Sequence, residues 1–377
     1  AYGVVLILDD VGPATPFTRV WCCFEESVTL LQLGSRQLEN PLLLDIASTK
    51  DGEPQLLTDG LTDHELEMEA KHEKNPHAPS GWAFKSKREA AFPANIIRKG
   101  LAVDLAKAEA SEETDKVRIL NSIAGRPEQE LDETPFAEHP NYRAVNHGLG
   151  GIFATAAYRP AVVAQKDIRD GGDLPLLKAL RDDINRRELK LNFAQLVNFG
   201  DSDLEALSQN LPKGLTTCKL CFAGCESLTT VDELGWGLSS LKSMTTCELN
   251  FHGCKGLTTV DELGRALSGL ALLTTCELNF RGCKGFTTVD ELGRGFLGLK
   301  SLITCKLNFY GCESLTTVDE LGRGLSGLKS LTTCVLNFFN CKGLTSVDEL
   351  GRGLSGLKSL KTCDLNFFGC KSITSVD

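Results

Sequence analysis

The sequence predicts an α/β protein in which a parallel-sheet domain and a helical connector precede a parallel β/α solenoid. Near-identical 29-residue units from about residue 189 predict the solenoid, because self-similarity at a fixed period is typical of stacked repeats. Two apolar runs separated by a helical segment near the start predict the parallel sheet. The predicted boundaries are 1–125 for the α/β domain, 126–188 for the helical connector and solenoid cap, and 189–377 for the solenoid.

The N-terminal domain is predicted from these two apolar runs. Val4 to Leu8 ("VVLIL") suits a parallel strand that is covered on both faces, and Pro41 to Ala47 ("PLLLDIA") is the second run. A loop with Pro13 and Pro16 lies between them, followed by a helix that contains "RVWCCFEESVTLL". Residues 48–85 are polar and contain "GEP" and "NPHAPSG", which predicts a long loop or insertion.

Helical patterning dominates the rest of the first half. It covers Lys87 to Ser111, Glu113 to Ala124 and Pro140 to Ala164. A last helix is predicted from Leu174 to Arg187, where it is expected to cap the end of the solenoid core. His139 and His147 have no nucleophile at motif spacing, so we interpret them as structural.

The segment "FTRVWCCFEES" resembles the W-C-x-x-E segment of Toll/interleukin-receptor (TIR) domains, which also follows a central strand. The resemblance implies a TIR-like domain that is N-terminally incomplete, since the first strand, the next loop and the second strand of that family are not in this chain. In NAD-cleaving members the Glu is catalytic, and the matching residue is Glu25, with Trp21 four positions earlier. Such a pair shares one helix face and suits an apolar, cation-binding pocket for NAD. A structural Trp beside a surface Glu is the other interpretation.

Each repeat unit is predicted to begin with a short strand. Apart from single substitutions such as Asn340 and Ile373, the units read L-x-x-C-x-L-x-F-x-G-C-x-x-L-T-x-V-x-x-L and then G-x-G-L-x-x-L. Apolar and polar positions alternate through the first part of the unit, as in Cys276, Leu278 and Phe280 against Glu277, Asn279 and Arg281. This period of two predicts a strand with one buried face.

A short helix is predicted to close each unit. Thr288 to Glu291 has the T-x-x-E form of a capping box. Apolar residues follow at helical spacing, namely Val289, Leu292, Phe296 and Leu299. Gly293, Gly295 and Gly298 weaken the predicted helix. A strand and helix of this size cannot bury their own apolar faces, so neighbouring units are expected to share one continuous core.

The repeats resemble the leucine-rich repeat family over about residues 189–377. Their period and strand-turn-helix order resemble its ribonuclease-inhibitor-like class, and "C-x-x-L-T" resembles its cysteine-containing class. With "LNSIAGR" (Leu120 to Arg126) and "HPNYRAVN" (His139 to Asn146), the chain resembles large leucine-rich-repeat proteins of dinoflagellate-type protists. The resemblance implies a surface for other molecules but names no partner.

Twelve of the fifteen cysteines occupy two positions of the repeat. Equivalent residues of stacked parallel strands lie about 4.8 Å apart, so Cys247, Cys276 and Cys305 are expected to form one column beside Leu and Phe. Cys254, Cys283 and Cys312 fall at the turn where the resembled family satisfies buried backbone groups with an Asn or Cys ladder. We interpret both sets as buried structural thiols. A metal site is the weaker alternative, because no histidine recurs with the cysteines.

Disulfides between adjacent units are a further alternative. Equivalent cysteines are close enough in stacked strands, but their side chains point alongside rather than at each other. So many unpaired thiols indicate an intracellular reducing compartment, expected to be the cytoplasm.

The outward positions of the strands predict a partner-binding surface on the concave sheet. The first column is Lys219, Glu248, Glu277, Lys306, Val335 and Asp364. The second column is nearly constant: Cys221, Asn250, Asn279, Asn308, Asn337 and Asn366. The third column is Ala223, His252, Arg281, Tyr310, Phe339 and Phe368. The first and third columns vary while the scaffold hardly changes, so, apart from Ala223, their residues are the predicted binding residues.

Tyr310, Phe339 and Phe368 are predicted to form a contiguous exposed stripe, and exposed apolar patches tend to be contact sites. Alternatively, the rings only cover the sheet or contact further repeats missing from this chain. The helix side carries Asp261 and Glu262, Asp290 and Glu291, and Arg265, Arg294 and Arg323. We interpret it as a solvated face with capping roles.

Composition and charge exclude several classes of function. A formal charge of −10 disfavours nucleic acid as a partner, and the sequence has no apolar run long enough to cross a bilayer. No secretion signal is visible. The abrupt start at "AYGVVLILDD" and the stop at Asp377 inside a repeat lead us to expect that both ends are cut from a longer protein.

We therefore predict a non-enzymatic interaction or scaffold protein that binds another protein or protein complex. The alternatives are a TIR-type NAD nucleosidase that uses Glu25 and a permanent structural subunit of a large assembly.

Overall fold

The computed structural model describes residues 3–8, 15–20, 22–23, 25, 43–50, 53–58, 61–74, 78–89, 92–164 and 175–374. The chain divides into two compact units, Ala1–Arg186 and Arg187–Asp377. No helix of these residues is long and apolar enough to cross a membrane.

The N-terminal unit contains a small mixed sheet of three strands in its described part. These are β1 (Gly3–Leu8), β2 (Leu43–Lys50) and β3 (Glu53–Thr58), in the order β1-β2-β3. β1 and β2 pair in parallel, as the two apolar runs predict, whereas β3 is antiparallel to β2. The predicted parallel pairing is confirmed, and β3 adds an antiparallel strand that the sequence pattern does not predict. Only two residues separate Lys50 from Glu53, and so short a connection can join only antiparallel strands.

The prediction that β1 is covered on both faces is also wrong. Leu6 and Leu8 are buried, but Val5 is 59% and Ile7 71% exposed. β1 thus alternates between a buried and an open face, although its sequence is apolar throughout.

Helices make up most of the other described residues of the N-terminal unit, and six α-helices have described bounds. They are α1 (Asp63–Lys74), α2 (Gly81–Glu89), α3 (Ala94–Leu101), α4 (Glu113–Ala124), α5 (Pro140–Ala164) and α6 (Pro175–Asp182). The bounds of α4 and α5 match the prediction. The loop predicted over residues 48–85 is wrong, since β3, α1 and the start of α2 lie there.

The helix predicted from Lys87 to Ser111 is broken. Pro93 precedes α3, and beyond α3 a short 3-10 turn at Leu105–Lys107 leads to Glu109, which forms a parallel bridge with Arg19. Val20 and Cys23 pack in one core cluster with residues of α4 and α5, including Leu120 and Tyr142.

The second unit is a parallel β/α solenoid. Its strands are β4 (Glu188–Asn192), β5 (Thr217–Cys221), β6 (Thr246–Asn250), β7 (Thr275–Asn279), β8 (Thr304–Asn308), β9 (Thr333–Asn337) and β10 (Thr362–Asn366). They form one sheet in chain order, and residues one period apart are paired, as Leu278 is with Leu307. The predicted strand at the start of each unit is confirmed.

A short helix follows each of the first six strands. These helices are α7 (Asp201–Gln209), α8 (Asp232–Ser239), α9 (Asp261–Ser268), α10 (Asp290–Phe296), α11 (Asp319–Leu325) and α12 (Asp348–Ser355). Between the two layers, Phe280 stacks on Phe251 and Phe309 with ring centroids 5.5 Å apart on each side. The units therefore share one continuous interior.

The capping box predicted at Thr288 is wrong. The helix begins after Val289, and the Thr288 hydroxyl accepts a hydrogen bond at 3.1 Å from the Asp290 N–H, two residues on. Equivalent bonds recur in the neighbouring units, for example from Asp261 to Thr259. The hydroxyl thus shapes the turn that precedes the helix.

The glycines within the helices have a structural role that the sequence pattern does not reveal. A Cβ atom at Gly295 would overlap the backbone carbonyl oxygen of Gly264, and one at Gly293 would overlap backbone atoms of Glu320 and Leu321. The helices of adjacent units therefore pack backbone against backbone. Glycine weakens each helix but permits this close approach.

Candidate partner-binding surface

Lysine and glutamate of the first column neutralise each other. Lys219 and Glu248 form an ion pair at 2.6 Å, and Lys306 and Glu277 form one at 2.8 Å. Both pairs join neighbouring strands, because the in-register sheet places equivalent positions side by side. Val335 and Asp364 continue the column on β9 and β10.

The second column holds the turn that follows each strand. The Oδ1 atom of Asn279 accepts a hydrogen bond at 3.0 Å from the N–H of Arg281, two residues on. The other asparagines of the column make the same bond at 3.0 to 3.1 Å, namely Asn250, Asn308, Asn337 and Asn366. This bond explains why the column is nearly constant, since an Asn side chain readily accepts from its own turn.

Residues of the third column lie in that turn rather than on the strand. The strands end at Asn308 and Asn337, two residues before Tyr310 and Phe339. The next position requires a left-handed backbone, with φ of +75° at Gly282 and +58° at Asn340. Gly and Asn are the residues that adopt this conformation most readily, which accounts for the exchange at position 340.

Four side chains of the third column form one continuous stack. The Arg281 guanidinium lies 4.4 Å from the centroid of the Tyr310 ring. Tyr310 and Phe339 stack with centroids 4.7 Å apart and planes inclined by 5°, and Phe339 and Phe368 follow at 5.2 Å and 24°. We call Tyr310, Phe339 and Phe368 the aromatic stack.

The stack is contiguous, as predicted, but its rings are not equally exposed. Tyr310 and Phe339 are half-buried, because neighbouring groups cover both of their faces, whereas Phe368 is 73% exposed. The sequence pattern does not anticipate this mutual coverage or the contact of Arg281 with Tyr310. Both follow from the step of 29 residues, which places third-column residues next to each other.

The two sets of repeat thiols have different surroundings. Cys218, Cys247, Cys276, Cys305 and Cys334 are fully buried in the strand column, and we call them the strand thiols. Cys283 lies at the turn, where its Sγ donates to the carbonyl oxygen of Phe251 at 3.2 Å. The same bond recurs at 3.0 to 3.3 Å from Cys225, Cys254, Cys312, Cys341 and Cys370, and we call this set the thiol ladder. The predicted ladder is confirmed.

Burial suppresses ionisation of these thiols. It raises the pKa of Cys247 and of Cys254 to about 12, and that of Cys276 well above its ordinary value. Burial therefore holds these groups in the protonated thiol form, whereas the thiolate is the nucleophilic and metal-binding form of cysteine. Within the described residues, no group of three or more His, Cys, Asp or Glu side chains is placed to hold a metal ion.

The helix side carries a ladder of ion pairs. The guanidinium of Arg294 pairs with Glu291 of its own helix and, at 3.5 Å, with Glu320 of the next unit. Arg265 and Arg323 make the equivalent pairs. These arginines are exposed, in agreement with the predicted solvated face.

The residues of the predicted NAD site are only partly described. Glu25 is helical and its side chain is exposed, but Trp21 lies outside the described residues. The predicted Trp-Glu pair therefore stays a prediction. His139 stacks on Phe136 with centroids 5.2 Å apart, and its Nδ1 accepts from the Asn141 N–H, which agrees with a structural role.

A comparison of the sequence with models of known protein families finds no match, and a comparison with curated proteins also finds none. The resemblance of the repeats to a family therefore stays a proposal.

Proposed function

We propose that this chain is a non-enzymatic interaction or scaffold protein that binds another protein or protein complex through the concave side of its solenoid. The aromatic stack carries the proposal. Aromatic residues and arginine are enriched at protein interfaces, and here three rings and one arginine adjoin each other. The predicted binding residues of the first and third columns are its expected contacts.

The proposal also draws on the contrast between scaffold and surface. The interior repeats the same Leu, Phe and Cys positions in unit after unit, while the third column changes from Ala223 and His252 to Arg281 and then to aromatic rings. Packing does not require these changes, because the positions lie outside the interior. We further propose that the units are leucine-rich repeats, which their strand-helix order and thiol ladder support.

The experiment compares capture of partners from an extract of the source by the intact chain and by two variants. One variant replaces Tyr310, Phe339 and Phe368 with Ser and is expected to lose the captured protein. The control replaces Leu272 and Leu297 with Ser and Ile303 with Thr; these are exposed apolar residues at positions where other units carry Ser or Thr. The control should retain the partner. Equal capture by all three proteins would contradict the proposal.

We also propose that the protein works in an intracellular reducing compartment, with the cytoplasm as the expected one. All twelve repeat cysteines are free thiols, including the exposed Cys363. Free thiols in this number persist where thiols are kept reduced. Labelling of native extract with a thiol-blocking reagent, followed by intact mass measurement after denaturation, should show every cysteine reduced.

A further inference from the structure

The asparagine column presents a row of hydrogen-bond donors. Each Oδ1 is occupied by the backbone N–H of the third-column residue, as in the bond from Tyr310 to Asn308 at 3.0 Å. This bond fixes the orientation of the side-chain amide, so the Nδ2 group is the free end. Among the described residues, no acceptor bonds the Nδ2 atoms of Asn279, Asn308 or Asn337. The three amides are half-buried and occupy adjacent strands.

The aromatic stack beside this row adds further positive potential. Both faces of Tyr310 and of Phe339 are covered by the neighbouring groups of the stack, so these two rings present their edges. The edge of an aromatic ring carries the positive end of its quadrupole. Oxygen atoms of a ligand therefore find favourable contacts along the ring edges as well as at the amides.

Arg281 carries a full charge, whereas the adjoining row of asparagines and the aromatic stack are uncharged. The repeats contain five arginines, and four of them pair with glutamates on the helix side. Within the described residues, Arg281 forms no ion pair and instead lies on the Tyr310 ring. The nearby first-column carboxylate of Glu277 is already paired with Lys306. A carboxylate from outside could therefore reach a cation that no internal carboxylate neutralises.

We propose that this strip, made of Arg281, Asn279, Asn308, Asn337 and the ring edges of Tyr310 and Phe339, binds an acidic peptide segment with apolar side chains next to its Asp or Glu residues. The inference rests on the proposed function and specifies the chemistry of the partner. The carboxylates accept from Arg281 and from the Asn Nδ2 groups and lie against the ring edges, and the apolar side chains pack on the exposed ring of Phe368 at the end of the stack. Charge complementarity selects this partner although the chain as a whole carries a charge of −10.

The structure offers a nearly isosteric test. An Asp at position 308 or 337 would keep an oxygen that accepts the N–H of Tyr310 or Phe339, so the turn is retained. The same change replaces the outward Nδ2 donor with a negatively charged acceptor. Asn192→Asp makes the same exchange on β4, three strands away from Asn279, and keeps the oxygen that accepts the Ala194 N–H, so it serves as the control.

The experiment pans a random peptide library on the full chain and measures the affinity of the enriched peptides by fluorescence anisotropy. The enriched sequences should carry Asp or Glu beside apolar residues. Their affinity should fall about tenfold or more in Asn308→Asp/Asn337→Asp and in Arg281→Gln, because each change removes charge-assisted hydrogen bonds. Asn192→Asp should bind within about twofold of the intact chain, since it lies three strands away from Asn279. Circular dichroism spectra establish that each variant is folded.

Two results would overturn the inference. The first is enrichment of basic or uncharged peptides whose affinity is unchanged in the Asn→Asp variants but is lost when the rings of the aromatic stack are replaced with Ser. That result would leave the proposed function standing. The second is a library that yields no binder. If replacing the aromatic stack with Ser also leaves partner capture from extract unchanged, the proposed function is contradicted together with the inference.

Discussion

The Sγ atom of Cys283 donates a hydrogen bond at 3.2 Å to the carbonyl oxygen of Phe251 in the preceding unit. The Sγ atom of Cys276, seven residues earlier, is fully buried and makes no hydrogen bond among the described residues. A hydroxyl group in place of the thiol would therefore find a hydrogen-bond acceptor at position 283 but not at position 276.

We expect Cys276→Ser to destabilise the chain more than Cys283→Ser, by roughly 1–2 kcal/mol. A Ser hydroxyl at position 283 can still donate to Phe251, whereas one at position 276 would be buried in an apolar column without an acceptor. Urea unfolding followed by far-UV circular dichroism measures the difference. Equal midpoints for the two variants would contradict the distinction between strand thiols and thiol ladder.

The buried thiols should make the solenoid sensitive to alkali. Burial raises the pKa of Cys247 from 9.0 to about 12, so the folded chain holds its thiol proton at a pH where the unfolded chain has lost it. This contribution to stability is complete below pH 9 and decreases as the pH rises toward 12. In that window, each such thiol should lower the free energy of unfolding by about 1.4 kcal/mol per pH unit.

Urea midpoints measured between pH 8 and pH 10 check this expectation. Cys247→Ala, which lacks one of these thiols, should show a smaller loss of stability over the same range. A midpoint that does not change across the range would show that the strand thiols titrate normally.

Two glycines at the same repeat position provide a matched pair. A Cβ atom at Gly322 would overlap backbone atoms of Glu349 and Leu350, whereas one at Gly351 would meet no atom within 4 Å. Gly322→Ala should therefore be strongly destabilising. Gly351→Ala should raise stability by about 0.5–1 kcal/mol, since Ala favours the helix. Thermal unfolding of both variants measures the direction of each change in stability. If both substitutions were destabilising, close backbone packing would not explain why residue 322 is Gly.

The N-terminal unit contains a buried ion pair in which Lys85 Nζ lies 2.6 Å from Glu89 Oε1. Burial raises the pKa of Glu89 and lowers that of Lys85. Lys85→Met should cost about 3–5 kcal/mol, because it leaves the Glu89 charge without its main partner. Adding Glu89→Leu should recover most of that loss. The free energies of unfolding of the single and double variants measure both effects. A Lys85→Met variant as stable as the intact chain would show that the ion pair is dispensable.

We expect no release of nicotinamide when the full chain is incubated with NAD. The Glu25 side chain is exposed, whereas cleavage of NAD through this residue would call for an enclosed apolar pocket. Chromatography of the reaction mixture measures the products. Turnover that disappears in Glu25→Ala would establish the enzymatic alternative instead.

The solenoid can be predicted from sequence because its determinants are periodic. Cys276, Leu278 and Phe280 repeat every 29 residues and alternate with polar residues, so strand, register and burial follow together. β3 cannot be predicted this way. Pro54 argues against a strand, and β3 exists because its residues pair with β2.

The surface could be located from sequence, but its details could not. Alternation places Asn279 on the outer side of the strand, yet its bond to the Arg281 N–H depends on the geometry of the turn. The position of Arg281 on the Tyr310 ring depends on the spacing between units. Such contacts join residues that are distant in sequence or depend on local geometry, and local patterns do not specify them.

The uniform interface between units has a consequence for how such a chain can change over generations. Arg294 pairs with Glu320 across one boundary, and Arg265 pairs with Glu291 across the boundary before it. Excision of the 29 codons between these boundaries would place Arg265 beside Glu320 in an equivalent pair. Slippage during DNA replication could therefore lengthen or shorten this protein by whole units while each new junction reproduces an old one.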